Sequence, residues 1–422
     1  MAHYKLIGPF TQIIPMTGIA IKGAISDNAL TIIKKGGILI KNGQIHTIGN
    51  FIDLLTKAKS LNAEIIKIEG EHVCLPGLID SHTHICFGGS RANDYAMRNA
   101  GKTYLEIAKA GGGIWDTVTQ TRMLSEKELA KGIITRANRH LKNGITTIEV
   151  KSGYGLSITE ELKMLHAIKK ANGELSVDLV STCLAAHMVP KDYSGTSQEY
   201  LEEISTVLFP KLLEEKLTNR IDAFIEEGAF SKEVIAPYFT KAKEMGFDIT
   251  VHADQFSTSG SEVAVQFDAV SADHLEASTH KEITLLANSN VIATALPGAS
   301  IGLGCKYSPA RKILDAGGAL SIASDWNPGS APMGDLLTQA ALLGVFEKLT
   351  NAEVLAGITF RAAAALKLKD RGKLQEGCLA DFIAFPTCDY KEILYQQGTL
   401  KPTKIWKKGV LVVEQKLNQH GF

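Results

Sequence analysis

The stretch Leu75-Pro76-Gly77-Leu78-Ile79-Asp80-Ser81-His82-Thr83-His84 decides how this chain is read. Pro76-Gly77 opens an apolar, strand-like run that ends in two histidines one residue apart. In a strand, residues i and i+2 face the same side, so His82 and His84 project together, Asp80 shares their face and Thr83 points away. Two neutral imidazoles aimed at one point are half of a catalytic metal site. A Gly-rich loop follows directly.

The missing half is sought in the strands that come after. Ser125-Glu126-Lys127-Glu128 is a capping box that opens a helix with Leu129, Ile133, Ala137 and Leu141 on one face. Asn143-Gly144 closes that helix, and Ile145–Val150 resumes as a strand. The same alternation gives eight candidate strands, near 78–84, 145–151, 178–187, 221–227, 247–253, 268–274, 290–296 and 318–325. Their ends carry His82 and His84, Lys151, His187, Glu226, His252, His274 and Asp325. In a (β/α)8 barrel those C-terminal ends converge on one site, which favours a barrel over a doubly wound open sheet.

The rest of the chain frames that barrel. Residues 30–49 are two β-branched runs about Asn42-Gly43, a strong hairpin signal. Short strands without intervening helices return at 380–385 and 404–413. The two termini are therefore expected to pair into a small β-sandwich domain (1–74 and 371–422), with the barrel (75–370) inserted between them. A chain of 422 residues has room for both.

Bulk properties narrow the function. Lys+Arg and Asp+Glu both total 45, so no basic field exists to hold a nucleic acid. Six scattered cysteines without a Cys-x-x-Cys read as reduced thiols of a cytoplasmic protein. No apolar run is long enough to span a bilayer, so no membrane association is expected.

Four strand-end residues form the expected ligand set: His82 and His84 from strand one, His252 from strand five and Asp325 from strand eight. Three nitrogens and one oxygen suit zinc, iron or manganese and leave a place for water. His274, ending Ser271-Ala272-Asp273-His274, is placed to polarise a substrate or hold the attacking water. Glu149, Lys151, Glu226 and Glu227 read as supporting or solvated charges. A modified lysine bridging two metals is the alternative for Lys151.

These motifs carry a resemblance. Pro76–His84, His252, His274 and Ser324-Asp325, with Gly372–Gly377 and Ala380-Asp381-Phe382, resemble the amidohydrolase superfamily of metal-dependent barrels. His84–Asn93, Thr103–Ile114, Glu149–Leu156, His252–Gln255 and Ser324–Ser330 are similar to one subgroup, the hydrolases of 4-imidazolone-5-propanoate, which yield N-formimidoyl-L-glutamate in histidine degradation. The resemblance covers essentially the whole chain. It implies one zinc or iron ion per subunit on His82, His84, His252 and Asp325, and a homodimer. It also implies substrate contacts from Arg91, Tyr154, His187, Gln255, Asn327, Gly329 and Ser330. Many members of the subgroup carry Glu at the position of Gln255. Gln cannot take a proton at neutral pH, which shifts the general-base role to Asp325 with His274.

The chemistry agrees with the residue types. Opening a ring amide needs an activated water, a polarised carbonyl and a proton for the leaving nitrogen. The propionate arm needs a fixed cation, and Arg91, just beyond strand one, offers bidentate pairing. Tyr154, between Gly153 and Gly155, reads as a mobile phenol near the ligand. His187, before Met188-Val189-Pro190, reads as a donor to ring or carboxylate. Tyr104 either assists or packs within its helix, and the apolar run Leu336–Gly344 either faces a partner subunit or packs inside.

Overall fold

A computed structural model describes residues 3–415. Two eight-stranded sheets organise it. One is built from the chain's two ends, as the hairpin signal and the late strands suggested. Its strands are Tyr4–Ile13, Ile33–Lys41, Gln44–Asn50, Glu64–Lys67 and Val73–Pro76 from the first part, with Phe382–Phe385, Lys404–Lys407 and Val410–Glu414 from the last. Asn42 and Gly43 both take positive φ (51° and 81°), as a two-residue turn between twisted strands demands. Phe10, Phe382 and Trp406 pack edge-on and stacked at the centre of this sheet, with Ile7, Ile13, Ile38 and Leu374 around them.

The chain leaves that sheet at Gly77. A Cβ there would lie 2.2 Å from Thr146 Oγ1, so only glycine lets the first barrel strand pass the second this closely. The barrel strands are Leu78–Asp80, Ile145–Lys151, Asp178–Ala186, Arg220–Ile225, Asp248–Ala253, Ser271–His274, Ile292–Ala295 and Ala319–Ile322. All neighbours are parallel and in chain order. Every expected strand is present.

The first strand is shorter than its apolar run suggested, ending at Asp80 rather than His84. Residues 82–84 instead close the barrel against the segment after strand eight. Thr83 and Trp326 form a parallel bridge, Asp325 N–H donates to the His82 carbonyl (3.0 Å), and His84 N–H donates to that of Trp326 (3.0 Å). Barrel closure and ligand placement are thus one event.

The helices outside follow their caps. Glu126–Lys142 begins with the Ser125–Glu128 capping box and buries Leu129, Ile133, Ala137 and Leu141. Leu336–Glu347 buries Leu336, Leu337, Ala340 and Leu343, so the face considered for a partner subunit packs inside; Val345 and Phe346 near its end are exposed. Among the described residues no helix is long and apolar enough to cross a membrane.

Candidate active site

Three imidazole nitrogens and one carboxylate oxygen meet where the barrel closes. His84 Nε2 lies 3.2 Å from His82 Nε2, 3.3 Å from His252 Nε2 and 3.4 Å from Asp325 Oδ1, while His82 Nε2 is 3.5 Å from that same oxygen. Donor atoms bonded to one zinc at about 2.0–2.1 Å stand roughly 3.2–3.5 Å from their neighbours, and these four separations match that spacing. Lone pairs crowded this closely repel one another unless a cation or shared protons stand between them. The donor set therefore fits a metal ion on the four residues named from the sequence.

The opposite edges of the rings explain why the Nε2 atoms face inward. His82 Nδ1 is 2.7 Å from Asp273 Oδ2, and His252 Nδ1 is 3.0 Å from Asp222 Oδ2. Carboxylates behind Nδ1 hold its proton and free Nε2 for a cation. Thr83, between the two histidines of strand one, donates its N–H to Glu149 Oε2 (3.2 Å) and its hydroxyl to the Glu149 carbonyl (2.6 Å). Lys151 lies beneath, with Nζ 2.7 Å from Glu149 Oε1 and 2.8 Å from Asp222 Oδ2. Burial opposes its charge, but Asp222, Glu149 and Asp273 outweigh burial and hold the ammonium protonated. Lys151 thus stands among three buried carboxylates that favour its charged form. Asp222 and Asp273 were not singled out as supports from the sequence.

Burial dominates the titration of the rings. It pushes His84 down to about 3 and His252 well below the ordinary imidazole range. His82 moves the other way, to about 9, because hydrogen bonds to Asp273 and Asp325 overcome burial and the Lys151 charge. Asp325 is held well below the usual carboxylate range: contacts with His82, His84 and His274 outweigh its burial. Its backbone sits at φ 52°, and that of His274 at φ 88°, both in the left-handed region. Such conformations cost of order 1 kcal/mol or more, held here by the surrounding closure. Asp80 is used differently from the histidines two and four residues on. Its Oδ1 accepts the Ser324 N–H (2.9 Å), and its Oδ2 lies 3.2 Å from His140 Nε2, anchoring the end of strand eight.

Comparison with known proteins agrees with this geometry. Residues 73–412 match the amidohydrolase family model. This chain belongs to the amidohydrolase family. Proteins named imidazolonepropionase from Bacillus mycoides and Bacillus cereus are both 39% identical to it, over 90% of this chain and 90% of theirs. Among solved structures, an atrazine chlorohydrolase from Arthrobacter aurescens complexed with zinc has a TM-score of 0.71 at 17% identity, covering 97% of this chain and 95% of its own. Guanine deaminase from E. coli has a TM-score of 0.72 at 16% identity, covering 98% and 99%. These distant likenesses establish the barrel with its flanking sheet.

Above the ligands of this amidohydrolase lies a cavity of about 720 Å³. Each residue expected to touch substrate lines it: Arg91, Tyr154, His187, Gln255, Asn327, Gly329 and Ser330, with His274 beside them. Arg91 is aimed by Asp94, whose Oδ2 accepts its Nε–H at 2.7 Å and the Gly113 N–H at 2.9 Å. The guanidinium rests on Gly329, where a Cβ would come within 2.5 Å of Nη1. Arg98 and Lys102 join Arg91 in lining the cavity, with Asp94 and Glu106 paired to Arg91 and Lys102. The closeness of the three cations in the sequence, within residues 91–102, was the available signal.

Tyr154 is buried rather than mobile. Glu161 accepts N–H groups from Gly153 (3.1 Å), Gly155 (2.8 Å) and Leu156 (2.8 Å), fixing the loop that carries the ring. Burial raises the phenol's pKa, so it remains a donor. His187 Nδ1 lies 2.8 Å from the Gly153 carbonyl, and burial lowers its pKa, leaving a neutral ring stacked on His84. The Asn327 amide is engaged at both ends: Nδ2 donates to Asp325 Oδ2 (3.0 Å) and Ser330 Oγ (2.8 Å), and Oδ1 accepts from Gly329 and Ser330 N–H (2.8 Å each). Glu226 accepts from Phe256 N–H (2.9 Å) and Ser257 N–H (3.2 Å), tethering the loop that presents Gln255. His274 Nδ1 lies 3.4 Å from the Glu276 carboxylate, and the ring joins His82 and Asp325 in a second group of converging donor atoms. The Tyr104 side chain lies outside the described residues.

Proposed function

We propose that this protein is an imidazolonepropionase: it hydrolyses the ring amide of 4-imidazolone-5-propanoate to N-formimidoyl-L-glutamate. The observation that carries the reading is one cavity lined both by His84, His252, His274 and Asp325 of the converging donor groups and by Arg91, Arg98 and Lys102. A ring amide with an anionic arm matches those two requirements together. The 39% identity to imidazolonepropionases over nine-tenths of the chain supports the same substrate.

We assign one zinc or iron ion to His82, His84, His252 and Asp325. Bound there, the cation supplies Lewis acidity that brings a water's pKa toward neutrality. Arg91 pairs with the propionate, held in plane by Asp94 and Gly329. Tyr154 fixes the ring by donating a hydrogen bond, while His187, whose Nδ1–H is engaged by the Gly153 carbonyl, accepts one at Nε2. His274 donates to the ring carbonyl as charge builds on its oxygen. Asp325, kept ionised by its neighbours, takes the proton of the attacking water and returns it to the ring nitrogen as the carbon–nitrogen bond breaks. Asn327 and Ser330 hold the outer oxygen of that carboxylate in line.

The enzyme is assigned to the cytoplasm and to a homodimer, the second checked by sedimentation. The substrate assignment is tested by comparing turnover of imidazolonepropionate, hydantoins, dihydroorotate, cytosine and guanine by the zinc- or iron-loaded protein. Turnover of imidazolonepropionate at least about a hundredfold faster than the others is expected. Activity on one of the others alone refutes the assignment.

A further inference from the structure

Beneath the ligand cluster, a single buried ammonium reaches the carboxylates beside His82 and His252 and the one that holds Thr83, between His82 and His84. Lys151 ends the second barrel strand and is 1% exposed. Its Nζ is 2.7 Å from Glu149 Oε1, 2.8 Å from Asp222 Oδ2 and 4.0 Å from Asp273 Oδ2. Glu149 receives the N–H of Thr83, between His82 and His84; Asp273 contacts His82; Asp222 contacts His252. Lys151 N–H also donates to the Thr83 carbonyl at 3.0 Å, so the same residue grips that segment from both sides.

The three carboxylates are each at most 1% exposed. Like charges in so dry a setting repel strongly unless an opposite charge stands among them. Without the ammonium, Asp222 and Asp273 relax apart, and each turns the imidazole that it backs. A ligand turned by a few tenths of an ångström loses its aim at the shared centre. Adding a carboxylate to Nζ would put a fourth anion into this nest and displace the contacts to Glu149 and Asp222.

We infer that Lys151, as an unmodified ammonium, is the positioning residue that fixes the three histidine ligands and sets how tightly the site holds a divalent cation. The inference rests on the ligand set proposed above. The experiment strips full-length protein with chelator and measures zinc affinity by competition with a chromogenic chelator, at a temperature where circular dichroism shows each variant folded. Lys151→Met is expected to weaken zinc binding about 10–100-fold. Lys151→Gln, which keeps polar contacts without the charge, carries the same expectation and serves if the methionine variant does not fold. Zinc affinity within about twofold of the parent in whichever variant folds overturns the inference. A carbamate signal in carbon NMR after incubation with isotope-labelled bicarbonate overturns it as well. His82→Ala run alongside separates the two readings: full zinc retention there removes the ligand assignment, whereas its loss with Lys151→Met unchanged removes only the role of Lys151.

Discussion

Arg91 lies between Asp94 on one side and the bare backbone of Gly329 on the other, and that setting decides what a substitution does. On the proposed assignment, Arg91→Ala removes a charge-assisted pair to the substrate's propionate, made before and during reaction. KM is therefore expected to rise about 10–100-fold with kcat little changed, equivalent to roughly 1.5–3 kcal/mol. Gly329→Ala leaves the charge but drives a methyl to 2.5 Å from Nη1, so the fork must swing away. The same rise in KM is expected from this displacement of the guanidinium, and steady-state kinetics of both variants check it. An unchanged KM in both takes Arg91 out of the pocket. Gln255 allows a third test. With the proton route assigned to Asp325, Gln255→Glu is expected to retain ring opening of the same substrate. Product identity by mass spectrometry is the readout, and appearance of a different reaction would mean the position directs chemistry.

Loops over this barrel are held by acceptors from neighbouring elements, and that is where reading the sequence fell short. Glycines on both sides of Tyr154 suggested mobility, yet Glu161, in the helix that follows, gathers three N–H groups and holds the turn still. Glu161→Gln puts an amide donor against these donors. It is expected to cost about 1–3 kcal/mol locally, to lower kcat/KM, and to speed hydrogen exchange at Gly153, Gly155 and Leu156. Exchange unchanged at those amides refutes the clamp. The eight barrel strands were legible because each is a short apolar run and seven of them lead into a polar residue, a pattern local to the chain. Strand one was read as reaching His84 because the partner of residues 82–84 is Trp326, and no local pattern reveals so distant a pairing. Asp222 and Asp273 stayed hidden for a related reason: an inward carboxylate looks like any alternating polar residue until the imidazole behind which it sits is known.

The barrel and terminal sheet are joined by a charge cluster far along the sequence from His82 and His84. Asp178, at the start of the third barrel strand, lies 2.6 Å from Arg371 Nη1 and 2.6 Å from Lys407 Nζ, and Lys407 also pairs with buried Asp381. Lys407 belongs to the terminal sheet, so these contacts lock its register on the barrel floor. Burial raises the Asp178 pKa, but Lys407 and Arg371 outweigh it, and the folded-state value lies below the ordinary one. A carboxylate with a depressed folded pKa contributes its stability above its unfolded pKa, near 3.9, and loses it as pH falls through the folded value. Asp178→Asn is therefore expected to destabilise by roughly 1–2 kcal/mol at pH 7, discounted for the side chain's partial exposure. The gap between variant and parent should narrow as pH falls below about 4. Lys407→Met leaves Asp381 buried without its cation and is expected to cost more, about 3 kcal/mol. Urea unfolding of the three proteins across pH 7 to 3 measures both. A gap between Asp178→Asn and parent that stays constant over that range would show that shape rather than charge joins the two sheets.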